Sequence, residues 1–268
     1  MGRVLSSLFS VLILAAIVAC ADNATSPQPS TDEVDATADA LSLAEGLGLP
    51  GTNADRETGS APTGTSRQPC RYNEGEGRWV CPPVTRDGLT FLRSFAYSDA
   101  DGNPMRRFDP LLTAAVNTRN AVSGTTQRDN ATVRIRSAGE LTISGLLGEE
   151  TTRIFDGREV GRRETNLVTD QGTATAVLEF ANKTEAVVVP VVRQTAGVAP
   201  TRQWPLSGQI IRTHVVTTTR NGETRTERWK ETTTFNGTAI VPVVIVSSRG
   251  TRNCERNLET RALTCEGR

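Results

Sequence analysis

Three features of this 268-residue chain predict an all-β body over residues 70–268. Apolar and polar residues alternate with period two in many segments, threonine is abundant, and turn residues recur at strand-length intervals. Together they predict a single domain built as an extended antiparallel meander sheet, free to curl into a half-barrel or a sandwich.

The strands follow in order. Gly88 to Tyr97 is strand-like, and Thr132 to Arg136 and Glu140 to Ser144 alternate cleanly. Thr173 to Phe180, Thr184 to Arg193, Gln209 to Thr219, Thr224 to Phe235 and Thr238 to Ser248 come next, with turn residues between them. Asn221-Gly222 and Asn236-Gly237 are both two-residue hairpin signals. Type I′ turns at both would set His214 opposite Trp229, Arg212 opposite Glu231, Trp229 opposite Val244 and Thr233 opposite Ile240. Ile210, His214, Val216, Trp229, Ile240, Val244 and Val246 would then share a core face. Thr213, Thr217, Thr219, Arg228, Lys230 and Thr232 would face water. Val241, Val243 and Ile245 would fall on that second face, which implies cover on both sides of the last strand. Pro242 has no N–H to give a ladder, so a bulge or strand edge is expected there. Residues 110–123 read two ways. Asp109-Pro110 with Leu111, Leu112, Ala115 and Val116 fits a capped helix, while Ala114, Val116, Thr118, Asn120 and Val122 alternate as a strand. The Thr, Asn and Val content favours strand.

The N-terminus is of another kind. Arg3 precedes an apolar run from Val4 to Val18 that is short for a membrane-spanning helix and of signal-peptide length. It ends in Ile17-Val18-Ala19-Cys20: aliphatic, aliphatic, small, then Cys. In these residues the chain resembles the bacterial lipoprotein class. The resemblance implies a signal peptide over 1–19, cleavage before Cys20, a diacylglycerol thioether on its sulfur and a fatty acyl group such as palmitate on the new amine. It implies a membrane as partner through that lipid anchor and the cell envelope as location. In that class Asp directly after the lipidated Cys often means retention in the inner membrane; Ala21 stands there instead, so the resemblance implies the outer membrane over the inner. Residues 20–69 then comprise the lipidated Cys and a tether. Residues 21–69 contain no aromatic residue, too little apolar surface to offset ordering entropy. A short helix around Val34, Ala38, Leu41 and Ala44, entered through Ser30 and Glu33, would be transient within it.

With Cys20 assigned to lipid, Cys70, Cys81, Cys254 and Cys265 remain. Export to an oxidising compartment makes an even set of cysteines a disulfide set. Three connectivities exist. Glu74-Gly75-Glu76-Gly77 between the first two, and Asn257-Leu258-Glu259-Thr260 between the last two, are turn sequences, so local pairing would close a hairpin at each end of the sheet. A bridge between the two ends is the competing arrangement.

Composition narrows the chemistry. The chain has 30 Lys+Arg and 30 Asp+Glu, a balance unlike that of many nucleic-acid binders. The zero is a sum of parts: the tether carries eight acidic and two basic residues, and the body is net +5. Arg153, Arg158, Arg162 and Arg163, and the terminal set Arg249, Arg252, Arg256, Arg261 and Arg268, are candidates for an anionic glycan or lipid headgroup, or else solvated strand faces. The single histidine, His214, rules out a multi-His metal site within one chain, and no cofactor is implied. No Gly-x-Ser-x-Gly accompanies it. Asp99-Ala100-Asp101-Gly102-Asn103 lacks the Gly and Glu positions of a calcium loop and reads as a turn. Glu149-Glu150 and Glu227/Glu231 are carboxylate pairs of the kind a glycosidase needs, though spacing in sequence does not bring them together. The expectation is a lipid-anchored envelope protein, not an enzyme, acting as a binding or structural module. A carrier of lipid or another hydrophobic ligand is a second reading by fold-level analogy, and a glycan hydrolase is a third.

Overall fold

A computed structural model describes residues 70–128, 130–169, 172–191 and 203–266. The segment 1–69, to which the expected signal peptide, the expected lipidation at Cys20 and the expected tether belong, lies outside the described residues, as does Arg268. The described chain is all-β. Its strands are β1 (Arg71–Asn73), β2 (Arg78–Val80), β3 (Val84–Arg86), β4 (Leu89–Ser98), β5 (Pro104–Met105), β6 (Ala115–Arg128), β7 (Ala131–Ser144), β8 (Thr152–Thr169), β9 (Gly172–Pro190), β10 (Ser207–Arg220), β11 (Glu223–Thr234), β12 (Ile240–Ser247), β13 (Gly250–Asn257) and β14 (Leu263–Cys265).

All belong to one antiparallel sheet in the order β1-β2-β4-β6-β7-β8-β9-β10-β11-β12-β13-β14, with β3 and β5 also on β4. The meander does not close, because β1 and β14 are its two edges. Both edge strands are three residues long, which leaves little free ladder for another chain to pair with. Each is tied down by a disulfide, Cys70–Cys81 at one end and Cys254–Cys265 at the other. Local pairing is thus the connectivity, and the second bridge joins direct cross-strand partners.

Side chains alternate across a strand, so the registers sort every strand residue onto one of two faces. Nearly all the buried strand residues share one, the inner face. Phe95, Val116 and Ile143 with Leu146 form one core, while Val187, Phe235 and Val241 form a second, and Phe155 packs against both. Leu146, Phe235 and Leu258 come from the connections after β7, β11 and β13. These loops fold under the same end of the sheet and cover its apolar rows, so one sheet can bury a face.

A bulge runs through the middle of the sheet. The β8–β9 register shifts between Phe155 and Gly157, and the β9–β10 register between Ser207 and Gln209. Ala186 adopts φ +44° there, and its N–H donates to Asp156 Oδ1 at 2.7 Å. Gly208 has φ +96°, and a Cβ on it would lie 2.3 Å from the Ala186 carbonyl oxygen. Only glycine fits that approach.

Several expectations are corrected. The turn at Asn221-Gly222 forms as read, with both residues at positive φ and with His214 opposite Trp229 and Arg212 opposite Glu231. Asn236-Gly237 instead belongs to a loop over 235–239. Asn236 Oδ1 accepts from the Thr238 N–H, and Asn236 Nδ2 donates to the Ile240 carbonyl. Trp229 therefore faces Ser247 and Thr233 faces Val243. An odd shift turns β12 over. Val241 (0% exposed) and Val243 point into the core, and Ile240 (49%), Val244 and Val246 point outward. Pro242 sits one place beyond the last β11–β12 pair, so no bulge is needed. Residues 110–112 are a turn and the strand begins at Ala115, so the strand reading of this segment holds from there. The two segments expected within 132–144 are one strand, the two expected from Thr173 onward are one strand as far as Pro190, and β8, to which no strand was assigned, is among the longest. Its arginines hid the alternation.

Candidate functional site on the inner sheet face

Above the apolar rows the inner face changes character. One row of direct register partners crosses seven strands: Arg93, Asn120, Gly139, Glu159, Asn182, Arg212 and Glu231. The next row away from the core is Phe91, Val122, Ser137, Gly161, Phe180, His214 and Trp229. The polar row is therefore bordered by core on one side and by an aromatic row on the other.

The two ends of the polar row differ. At the β11 end, Glu231 is buried between two guanidiniums. Arg212 Nη1 donates to its Oε1 at 2.9 Å, and Arg256 donates from Nη1 to Oε1 at 3.1 Å and from Nη2 to Oε2 at 3.3 Å. Thr233 Oγ1 also donates to Oε1. Burial alone would raise the Glu231 pKa, but the charges of Arg256 and Arg212 and their hydrogen bonds outweigh it, holding the carboxyl below its ordinary range. Arg212 is only 2% exposed. Both carboxylate oxygens of this triad are taken by guanidiniums, so it has none to offer a substrate, while Arg256 Nε is buried without a partner among the described residues.

The rest of the row is half-buried and open. Burial pushes the Glu159 carboxyl up, against the hydrogen bonds it receives from Asn182 and Ser137. Asn182 Nδ2 donates to Glu159 Oε2 at 3.3 Å, while its own Oδ1 is buried and has no partner among the described residues. Arg93 Nε is likewise buried without one. Burial lowers the Arg93 pKa, with no carboxylate acting against it. Between Asn120 and Glu159 the position is Gly139, and a Cβ there would come within 3.2 Å of the Glu159 side chain. Glu159 thus leans across a site cleared of its own side chain. Phe180 does the same one row higher, its ring lying where a Gly161 Cβ would be, 2.3 Å away.

His214 stacks on Trp229 with ring centroids 4.9 Å apart. Burial first and the Arg212 charge second lower its pKa, so it is a neutral packed imidazole at pH 7. Arg153 and Arg163 point to the inner face and Arg158 and Arg162 to the outer, so alternation splits the expected basic cluster. Arg256 of the terminal set is inside the triad, and Arg249 pairs with Glu227 at 2.9 Å. Glu150 accepts from the Leu147 N–H. The carboxylate pairs read from the sequence therefore do not converge. Asp99 Oδ1 accepts from the N–H groups of Asp101 and Asn103, which makes that segment a turn. Among the described residues no group of three His, Cys, Asp or Glu gathers as a metal site. Among them there is also no helix long and apolar enough to cross a membrane. On the outer face, Glu140, Asp156, Arg158, Lys183 and Glu185 line an open depression of about 520 Å³ at the bulge.

The sequence reading found Arg212, Glu231, His214 and Trp229 through the first hairpin. The open half of the row was not legible there, because Arg93, Glu159 and Asn182 are far apart in sequence and fall into one row only through register. Compared with protein families, with curated proteins and with solved structures, the chain has no match in any of the three.

Proposed function

We propose that the chain is a lipid-anchored cell-envelope protein whose β body is a binding module, with the open half of the inner-face polar row as its site. One observation carries this reading. Arg93 Nε and Asn182 Oδ1 are buried polar atoms without a partner among the described residues, in a half-buried row beside aromatic side chains. Such atoms cost about 1–3 kcal/mol each unless a ligand or water meets them. An anionic group would be received by the Arg93 guanidinium, a hydroxyl would donate to Asn182 Oδ1, and an apolar or ring face would lie on Phe91 and Phe180. An anionic glycan and a lipid headgroup both have that chemistry. The apolar rows on either side of the polar one favour the lipid, which is the carrier reading.

Calorimetric titration of the protein with an acidic oligosaccharide and with short-chain phosphatidylglycerol separates the two. Binding of one of them, weakened about tenfold by Arg93→Ala, is the expected result, since a charge-assisted hydrogen bond contributes about 1.5–3 kcal/mol. Equal affinities for the parent and the variant would remove the inner face from consideration.

A further inference from the structure

The connection between β5 and β6 exposes an apolar tip. Leu111 is 79% and Leu112 57% exposed, with Phe108 exposed beside them. Lone apolar residues on a surface mean little, but three on one short loop form a patch. The loop is also built rigidly. Asp109 Oδ1 accepts from the Leu111 N–H at 2.8 Å, and Thr113, wholly buried, donates its N–H to the Asp109 carbonyl. The Asp109 N–H donates in turn to Thr113 Oγ1. The Gly148 N–H holds the Pro110 carbonyl, and Tyr97 packs edge-on to Phe108. The two leucines are thus held outward by a fixed backbone.

The place of this loop in the molecule says what meets it. Trp79 Nε1 donates to the Arg106 carbonyl at 2.8 Å, Arg106 pairs with Glu74, and its guanidinium lies over the Tyr72 ring. The tip is therefore fastened to the β1–β2 hairpin, where the segment leading from Cys20 enters the body at Cys70. Arg107 is exposed and has no ion pair among the described residues. Apolar side chains flanked by an unpaired cation, on the part of the body nearest the lipid-linked segment, match the interfacial layer of an anionic bilayer.

We propose that Leu111 and Leu112 insert into the bilayer that holds the lipid anchor, with Arg107 at the phosphate level, so that the body docks in one orientation. The inference rests on the lipid-anchor reading. The test uses the full lipidated protein in vesicles of phosphatidylethanolamine and phosphatidylglycerol, with a nitroxide at Leu111→Cys or, at the opposite end of the sheet, at Glu223→Cys. Both positions are exposed, so neither substitution disturbs the core. The Leu111 label is expected to collide more with oxygen than with a water-soluble nickel complex, and the Glu223 label the reverse. Adding Leu112→Asp should turn the Leu111 reading aqueous. Aqueous readings at both sites on protein that floats with the vesicles, the outcome for a tip that meets a protein instead, overturn the docking and leave the anchor standing. Protein that stays out of the vesicle fraction overturns both.

Discussion

Glu231 shows how much one residue can decide. Its carboxylate is the only anion in a buried cluster with Arg212 and Arg256, and it ties β10, β11 and β13 together across β12. Removing it leaves two buried guanidiniums uncompensated, which costs about 3–5 kcal/mol. Glu231→Ala should therefore lower the melting temperature by roughly 10 °C, at about 2–4 °C per kcal/mol for a domain of this size. The pH dependence has a fixed sign. The folded pKa lies below the unfolded value of about 4.3. The stabilisation is therefore fully present above pH ~5 and is lost as pH falls through the folded pKa. Urea midpoints measured from pH 7 down to pH 3 should fall steeply for the parent protein. In a Glu231→Gln variant they should start lower and fall less. Glu159 has the opposite sign, because burial raises its pKa and its ionised form costs stability at neutral pH.

At the scale of the element, register matters more than composition. Asn221-Gly222 and Asn236-Gly237 are the same dipeptide, yet only the first forms a two-residue turn. At the second, Phe235 is drawn into the core beneath the sheet with Val187 and Val241. Burying that ring outweighs the local turn preference, because a side chain of this size contributes about 1.5–3 kcal/mol on burial. The result is a longer loop and an inverted β12. The glycines of β7 and β8 act at the same scale by clearing room for neighbours on the inner face. Gly161→Ala would drive a methyl into the Phe180 ring, and overpacking of this kind costs about 1–3 kcal/mol. Chemical denaturation should show that loss, and Phe180→Leu in the same chain should recover part of it. A Gly161→Ala variant as stable as the parent would mean that the ring has another place to go.

For the whole molecule, the zero charge balance is a sum of unlike parts. Residues 70–268 are at +5, residues 21–69 at −6, and Arg3 supplies the remaining charge. An anionic ligand would be met by residues 70–268, and the acidic segment 21–69, opposite in sign to them, would compete for the same surface. The lipid-anchor reading makes its own prediction. Globomycin, which blocks the lipoprotein signal peptidase, should cause a larger precursor to accumulate, and Cys20→Ser should move the protein out of the membrane fraction. A chain processed normally in the presence of the inhibitor would return the N-terminus to an ordinary secretory signal.

The all-β meander, the paired cysteines and the first hairpin were legible in the sequence, because alternation, turn residues and loop spacing are local properties. The continuity of β7 and β9 and the existence of β8 were not, since Gly139, Asn182 and the arginines read as breaks until neighbouring strands held them extended. Which face of β12 is buried, the entry of Arg256 into the triad and the assembly of Arg93, Glu159 and Asn182 into one row were decided only by tertiary structure. Each depends on the registers between neighbouring strands, summed across the sheet. A shift of a single residue in any of those registers exchanges the two faces of a strand.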